Sequence, residues 1–244
     1  MARRAIAGET IPEPPVICFR SGLRINMVPA SHAGWDFLFE EIFLSKCYQP
    51  TADFIPKPGW TVVDLGANMG FFSCQVSAAA PDVRIVAVEP LPLYQETFRK
   101  NIQDNKIANA TLVAGAICGE VTQTVPLTVW YATSGELKTG EVPQDAARVE
   151  TVTAKGYTLA EVFEIGNVVN CDLLKVDIEG AEFSLFEKIP ASLWKRIARV
   201  VMEVHPDREN PASRIVQILE QNDFRTHLSA EASAGIGLLW AIRK

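Results

Sequence analysis

From residue 58 onward the apolar residues gather into short unbroken runs, each followed by a polar turn and then by a stretch of helical period. The runs are Thr61–Leu65, Val83–Val88, Thr111–Ala116, Leu173–Val176 and Val200–Val204. Unbroken rather than alternating runs predict strands buried on both faces, and strands separated by helical patterns predict a parallel sheet with crossover helices. Leu91, Tyr94, Phe98 and Ile102 recur at helical spacing and predict a helix over one face of that sheet. Phe183 to Ile189 predicts the crossover after the fourth strand. Asn210-Pro211 starts a last helix, cap then first-turn proline, with Ile215, Ile218 and Leu219 as its buried stripe. Phe224–Leu228 and Gly237–Ile242, joined by the small-residue loop SAEASAG, predict an antiparallel finish. The fold class is α/β, doubly wound, with a mostly parallel sheet.

Ahead of this pattern, residues 1–15 read as a polar, proline-bearing leader. Val16 to Met27 predicts a hairpin around Ser21-Gly22, and Trp35 to Leu44 an apolar helix whose aromatic residues Trp35, Phe37, Phe39 and Phe43 are expected in the core. The chain therefore divides into an accessory segment, 1–57, placed to act as a lid, and a main domain, 58–244. Residues 120–157 are less regular, with a hairpin expected around Pro126–Tyr131 and a polar loop at 133–148; Trp130 and Tyr131 are candidates for lining an acceptor pocket.

The length of 244 residues suits one domain, and the 48% hydrophobic and 21% charged content is that of an ordinary globular chain. A net charge of −6 argues against a nucleic-acid partner, which requires clustered Lys and Arg. The five cysteines are odd in number and form no CxxC pair, which predicts reduced thiols, most of them buried as small apolar residues. There is no signal-peptide pattern and no apolar run near the roughly 18 residues of a membrane span, so the expectation is a cytoplasmic protein without a membrane partner. A homo-oligomer is left open.

Candidate chemistry begins with Thr61-Val-Val-Asp-Leu-Gly-Ala-Asn-Met-Gly70, a strand running into a glycine loop and then an apolar helix. Glycines let the backbone approach a ligand, and the helix start points free N–H groups into the same space. A dinucleotide fingerprint needs G-x-G-x-x-G, which Gly66 to Gly70 does not supply. Asp64, just before Gly66, would repel a pyrophosphate but attract the ammonium of a methionyl group. Glu89 ends the next strand 25 residues later, where an acid can accept two hydrogen bonds from ribose. The set suits S-adenosylmethionine better than a dinucleotide.

Four segments, VVDLGANMGFFS (62–73), VAVEP (86–90), LLKVDIEGAE (173–182) and VVMEVHP (200–206), together resemble the FkbM-like family of S-adenosylmethionine-dependent methyltransferases. The upstream EIFLSKCYQP (41–50) and PKPGW (56–60) resemble that family's approach to its first core strand, so the resemblance runs over about 38–243. It implies a seven-stranded sheet with the last strand antiparallel, and cofactor binding at Asp64, Gly66, Asn68, Gly70 and Glu89. Adenine is expected just after the third strand at Ala114 to Ala116, through backbone groups or other residues since AGA carries no acid; Asp177 is expected nearest the methyl group. The resemblance also implies methylation of oxygen on a small-molecule acceptor such as a sugar or natural product.

At the reacting end, Asp177, Glu179 and Glu182 follow the fourth strand, and Glu203 and His205 stand two apart on the fifth. A hydroxyl must lose its proton to react, and His205, Asp177 or Glu203 could take it; His205 has the suitable ordinary pKa, about 6.5. Asp177, Glu179, Glu203 and His205 could also hold a divalent cation, a reading ranked below the metal-free one because Lys175 is available to pair with these acids. His32 and His227 have no motif around them and are expected to be structural or exposed. Methylation of an amine or peptide nitrogen stands as the alternative, with a nicotinamide-dependent oxidoreductase or a binding module without chemistry weaker than it.

Overall fold

The apolar runs assemble into one seven-stranded sheet. Its strands are β1 (Thr61–Leu65), β2 (Arg84–Glu89), β3 (Ala110–Ala114), β4 (Leu173–Val176), β5 (Arg199–Val204), β6 (Phe224–Leu228) and β7 (Gly237–Arg243). The computed structural model describes residues 16–28, 35–131, 137–139, 142, 144, 146, 148–206, 209–229 and 237–244. The leader, His32, most of the 133–148 loop, most of the SAEASAG loop, and the side chains of Trp35 and Tyr131 lie outside the described residues.

The strand order is β3-β2-β1-β4-β5-β7-β6, parallel except for β7, which runs antiparallel to both neighbours. The order reverses between β1 and β4, and in such sheets the crevice at the carboxyl ends of those strands is where ligands bind. Both faces of the sheet are covered, which is why the runs are unbroken. Val62, Ile85, Ala87, Leu173 and Val201 pack on one side and Val63, Val86, Leu174 and Val200 on the other.

The first side is covered by α1 (Phe71–Ala79), α2 (Pro92–Asp104) and the N-terminal segment; the second by α3 (Leu159–Ile165), α4 (Glu182–Lys188) and α5 (Ala212–Gln221). α3 is an element the apolar pattern does not predict. Its start is written in Thr158 and Glu161, which form a reciprocal capping box with Thr158 Oγ1 accepting from the Glu161 N–H. The expected hairpin near 126–131 is the centre of a three-stranded antiparallel sheet, 125–131 with 137–139 and 148–154. The third strand stops two residues earlier than expected, because the Gly115 N–H turns to the Glu89 carbonyl and the chain then pairs with 156–157.

The N-terminal hairpin forms as expected, Val16–Cys18 against Arg24–Asn26. Asn26 is buried and donates to Asn101 Oδ1 of α2, while Asn101 Nδ2 donates to the Met69 carbonyl at 2.8 Å, so hairpin, helix and glycine loop share one network. The helix expected over Trp35–Leu44 is α-helical only to Phe39 and continues as a wider π turn, Glu40–Ser45. Phe39 and Phe43 join Phe19 and Phe71 in an aromatic cluster, but Phe37 faces solvent, against the expectation of a core position. The thiol expectation also needs correcting: Cys74 and Cys171 are buried, Cys47 and Cys118 half-buried, and Cys18 exposed. His227 is exposed and stacks on Trp240. Among the described residues no helix is long and apolar enough to cross a membrane.

Candidate functional site

Gly66 and Gly70 both adopt positive φ, +76° and +83°, which side chains disfavour. A Cβ on Gly66 would lie 1.7 Å from the Asp177 carbonyl oxygen, so the loop after β1 presses directly on the end of β4. The Gly66 and Ala67 N–H groups donate to the Val88 carbonyl, and Asn68, itself left-handed at +50°, donates its N–H to Glu89 Oε2 at 2.8 Å. Glu89 Oε1 accepts from the Leu91 N–H at 2.8 Å. Both Glu89 oxygens are thus engaged by backbone at the tip of β2, each keeping one lone pair for a further donor. Burial pushes the carboxyl up to about 7 despite those two N–H groups.

Asp64 lies beneath this loop, fully buried. Ser73 of α1 donates to its Oδ2 at 2.8 Å, and Oδ1, which has no hydrogen bond, faces Lys175 Nζ at 3.4 Å. The lysine also donates to the Gly66 carbonyl at 2.8 Å and lies 3.5 Å from Asp177 Oδ2. Burial opposes the Lys175 charge, but Asp177, Asp64 and Glu203 outweigh it and hold the ammonium above its ordinary range. Asp64 therefore meets a cation from β4 and steadies the loop from below, where the sequence suggests direct contact with a ligand's ammonium. The cleft above is lined by Leu38, Ile42, Tyr48, Asn68, Phe71 and Asp177, among others.

Asp177, Glu203 and His205 converge at the tips of β4 and β5, with ligand atoms all within 4.8 Å of one another. These three could hold a cation; Glu179, half-exposed, stands outside the trio, although its Oε2 is 3.6 Å from His205 Nε2. The other ring nitrogen, Nδ1, is 2.9 Å from Glu182 Oε1. Burial works against a charged His205, but the Glu182 hydrogen bond and the charges of Glu182, Glu179 and Asp177 dominate and raise it to about 9. This corrects the expectation of an ordinary histidine pKa.

Tyr48, from the accessory segment, is the residue that sequence reasoning misses. Its hydroxyl lies 3.0 Å from Asp177 Oδ2 and 2.9 Å from Glu203 Oε1, and its ring sits under Lys175 Nζ at 5.1 Å. Burial and the neighbouring Asp177 charge push Glu203 up. Glu41, on the π turn, is likewise raised to about 8 by burial, then by Glu203 and Asp177. The signal was present in EIFLSKCYQP, but nothing local says where its tyrosine points. At Ala116, expected near adenine, the N–H donates to the Lys155 carbonyl at 2.8 Å.

Residues 64–226 match the methyltransferase FkbM domain family, two thirds of the chain. The chain is 27% identical over 231 residues to the 31-O-demethyl-FK506 methyltransferase FkbM of Streptomyces tacrolimicus, covering 84% of this chain and 86% of that one. A methyltransferase FkbM from Methylobacillus flagellatus superposes with a TM-score of 0.53 at 14% identity, over 79% of this chain and 46% of the other. Aeropyrum pernix fibrillarin, solved with S-adenosyl-L-methionine, gives 0.50 at 11% identity over 97% and 85%, a likeness of fold alone. With the glycine loop, the β1/β4 crevice and the domain match together, the chain belongs to the FkbM methyltransferase family.

Proposed function

We propose that this methyltransferase carries a methyl group from S-adenosylmethionine to a hydroxyl of a small-molecule acceptor. The observation that carries the reading is the cluster of Asp177, Glu203 and His205, whose Asp177 lines the cleft that residues 66–69 and the start of α1 also line.

The residues present suit a sulfonium donor. Gly66 leaves no room for a side chain, α1 opens its N-terminus beside the loop, and Glu89 keeps lone pairs for ribose. Asp177 in the cleft lining, joined by Glu203 as it ionises with pH rising past about 7, gives a negative field that suits a positive sulfur. Bound there, S-adenosylmethionine supplies a methyl carbon open to displacement from the side opposite sulfur. The chain's own task is to hold the nucleophile about 3 Å from that carbon and to accept its proton. His205 Nε2 is the base in the neutral ring, the form that gains population as pH rises toward 9, and Asp177 orients the hydroxyl.

The acceptor class is supported by the name of the Streptomyces relative, which specifies an O-demethyl substrate. The same acids would also suit a protonated amine, and this is the observation that keeps methylation of nitrogen as a second reading. In this proposal the N-terminal segment is a wall of the site, since Leu38, Ile42 and Tyr48 line it.

Titration calorimetry with S-adenosylhomocysteine is expected to show binding, and NAD none. Methyl-labelled S-adenosylmethionine offered with a panel of secondary alcohols and a matched panel of primary amines should label the alcohols. Heat with NAD and none with S-adenosylhomocysteine would overturn the cofactor, and label confined to the amines would transfer the reading to nitrogen.

A further inference from the structure

Glu182 opens α4, where an acid ordinarily serves the helix N-terminus from the solvent side. Here it is fully buried. Its Oε1 is 2.9 Å from His205 Nδ1 and accepts from the Gly180 N–H at 3.2 Å and the Ile178 N–H at 3.4 Å, while Oε2 has no hydrogen bond. Keeping a carboxylate out of water with one oxygen unbonded is costly, and a residue needed only for the helix end would turn outward.

An ionised carboxylate only accepts, so in this pair the proton sits on Nδ1. That fixes which nitrogen is left for chemistry. Nε2 is the atom on the side of Glu179 Oε2 at 3.6 Å and Glu203 Oε2 at 4.0 Å, and His205 belongs to the same cluster as Asp177. We propose that Glu182 is a positioning residue for methyl transfer, holding His205 as the Nδ1–H tautomer so that Nε2 can take the acceptor's hydroxyl proton. The inference rests on the reading above and adds to it the group that prepares the base.

The proton and electron count closes. The acceptor oxygen bonds to the methyl carbon as the carbon–sulfur bond breaks, the pair of that bond stays on sulfur, and the hydroxyl proton goes to Nε2. The positive charge lost at sulfur appears on the imidazolium, which Glu182 faces across Nδ1. Exchanging the carboxylate for an amide permits the opposite arrangement, with the amide N–H₂ donating to Nδ1 and the ring proton moved to Nε2, which disables the base.

The chain has three histidines, so the ring nitrogens of full-length protein labelled with ¹⁵N-histidine can be resolved, with a His205→Asn sample identifying the signal of interest. At alkaline pH, with S-adenosylhomocysteine bound, wild-type His205 is expected as Nδ1–H, and Glu182→Gln should move the proton to Nε2. On the best alcohol of the panel, Glu182→Gln should lower kcat by about 10²-fold or more with KM for S-adenosylmethionine unchanged. A wild-type His205 protonated on Nε2 overturns the proposal whether or not the variant folds, and so does a variant kcat within about twofold of wild type. If wild-type protein gives no heat with S-adenosylhomocysteine, the cofactor reading falls first and takes this one with it; normal heat with the wrong tautomer overturns this one alone.

Discussion

The tips of β1 and β2 and the tips of β4 and β5 are two halves of one crevice, built by different means. On the first side, loop and acid are held by main-chain groups within 30 residues of one another: Gly66 and Ala67 on Val88, and Glu89 on the N–H groups of Asn68 and Leu91. On the second, side chains hold side chains across long sequence separations, Tyr48 reaching 129 residues to Asp177 and 155 to Glu203. A main-chain cradle fails through steric intrusion, whereas a side-chain cluster responds to protons and to the exchange of single functional groups.

The largest test of that contrast is Gly66→Ala. A Cβ 1.7 Å from the Asp177 carbonyl, at a φ of +76°, must displace either the loop or β4. We expect a loss of about 3 kcal/mol or more in urea unfolding, together with loss of S-adenosylhomocysteine binding; wild-type stability would break the comparison. Next is His205→Asn, chosen because its amide can still donate to Glu182. Turnover should fall about 10²-fold while cofactor affinity stays, and unchanged turnover would remove the base from the second half.

A third prediction concerns pH. His205 at about 9, Glu41 at about 8 and Glu89 at about 7 all lie above their ordinary values of 6.5 and 4.5, so the folded chain binds these protons more tightly than the unfolded one. Their stabilising contribution is complete below pH 4.5 for the acids and 6.5 for His205, and is lost as pH rises through 7, 8 and 9 respectively. The ligand-free protein should therefore melt several degrees lower at pH 9 than at pH 6, and a flat profile would show that the acids are better solvated than their burial indicates. The smallest effect is expected outside both halves. Thr158→Ala, which removes one arm of the capping box on α3, should cost about 1 kcal/mol, or about 2–4 °C, with turnover unchanged.

The sheet was legible because each core strand is an unbroken apolar run, and the glycine loop because φ values such as those at 66 and 70 favour glycine. Thr158 and Glu161 carry a readable helix start, but seven residues of α3 are too few for a convincing period. The cradle could be read from adjacent residues, since its bonds are local. Tyr48 could not, because its partners are brought to it only by the packing of Ile42, Tyr48 and Phe54 against α1 and α2. Glu182 was visible as an acid in LLKVDIEGAE, yet its burial, the property that matters, depends on α4 packing against the sheet.

The stretch by which the family is recognised, 64–226, begins after Tyr48 and ends before β7. Cut to those bounds, the chain would lose the strand that zips β5 to β6, and Asp177 and Glu203 would confront each other without the hydroxyl between them. The stretch that the domain pattern spans is thus smaller than what physics needs as a foldable, working object.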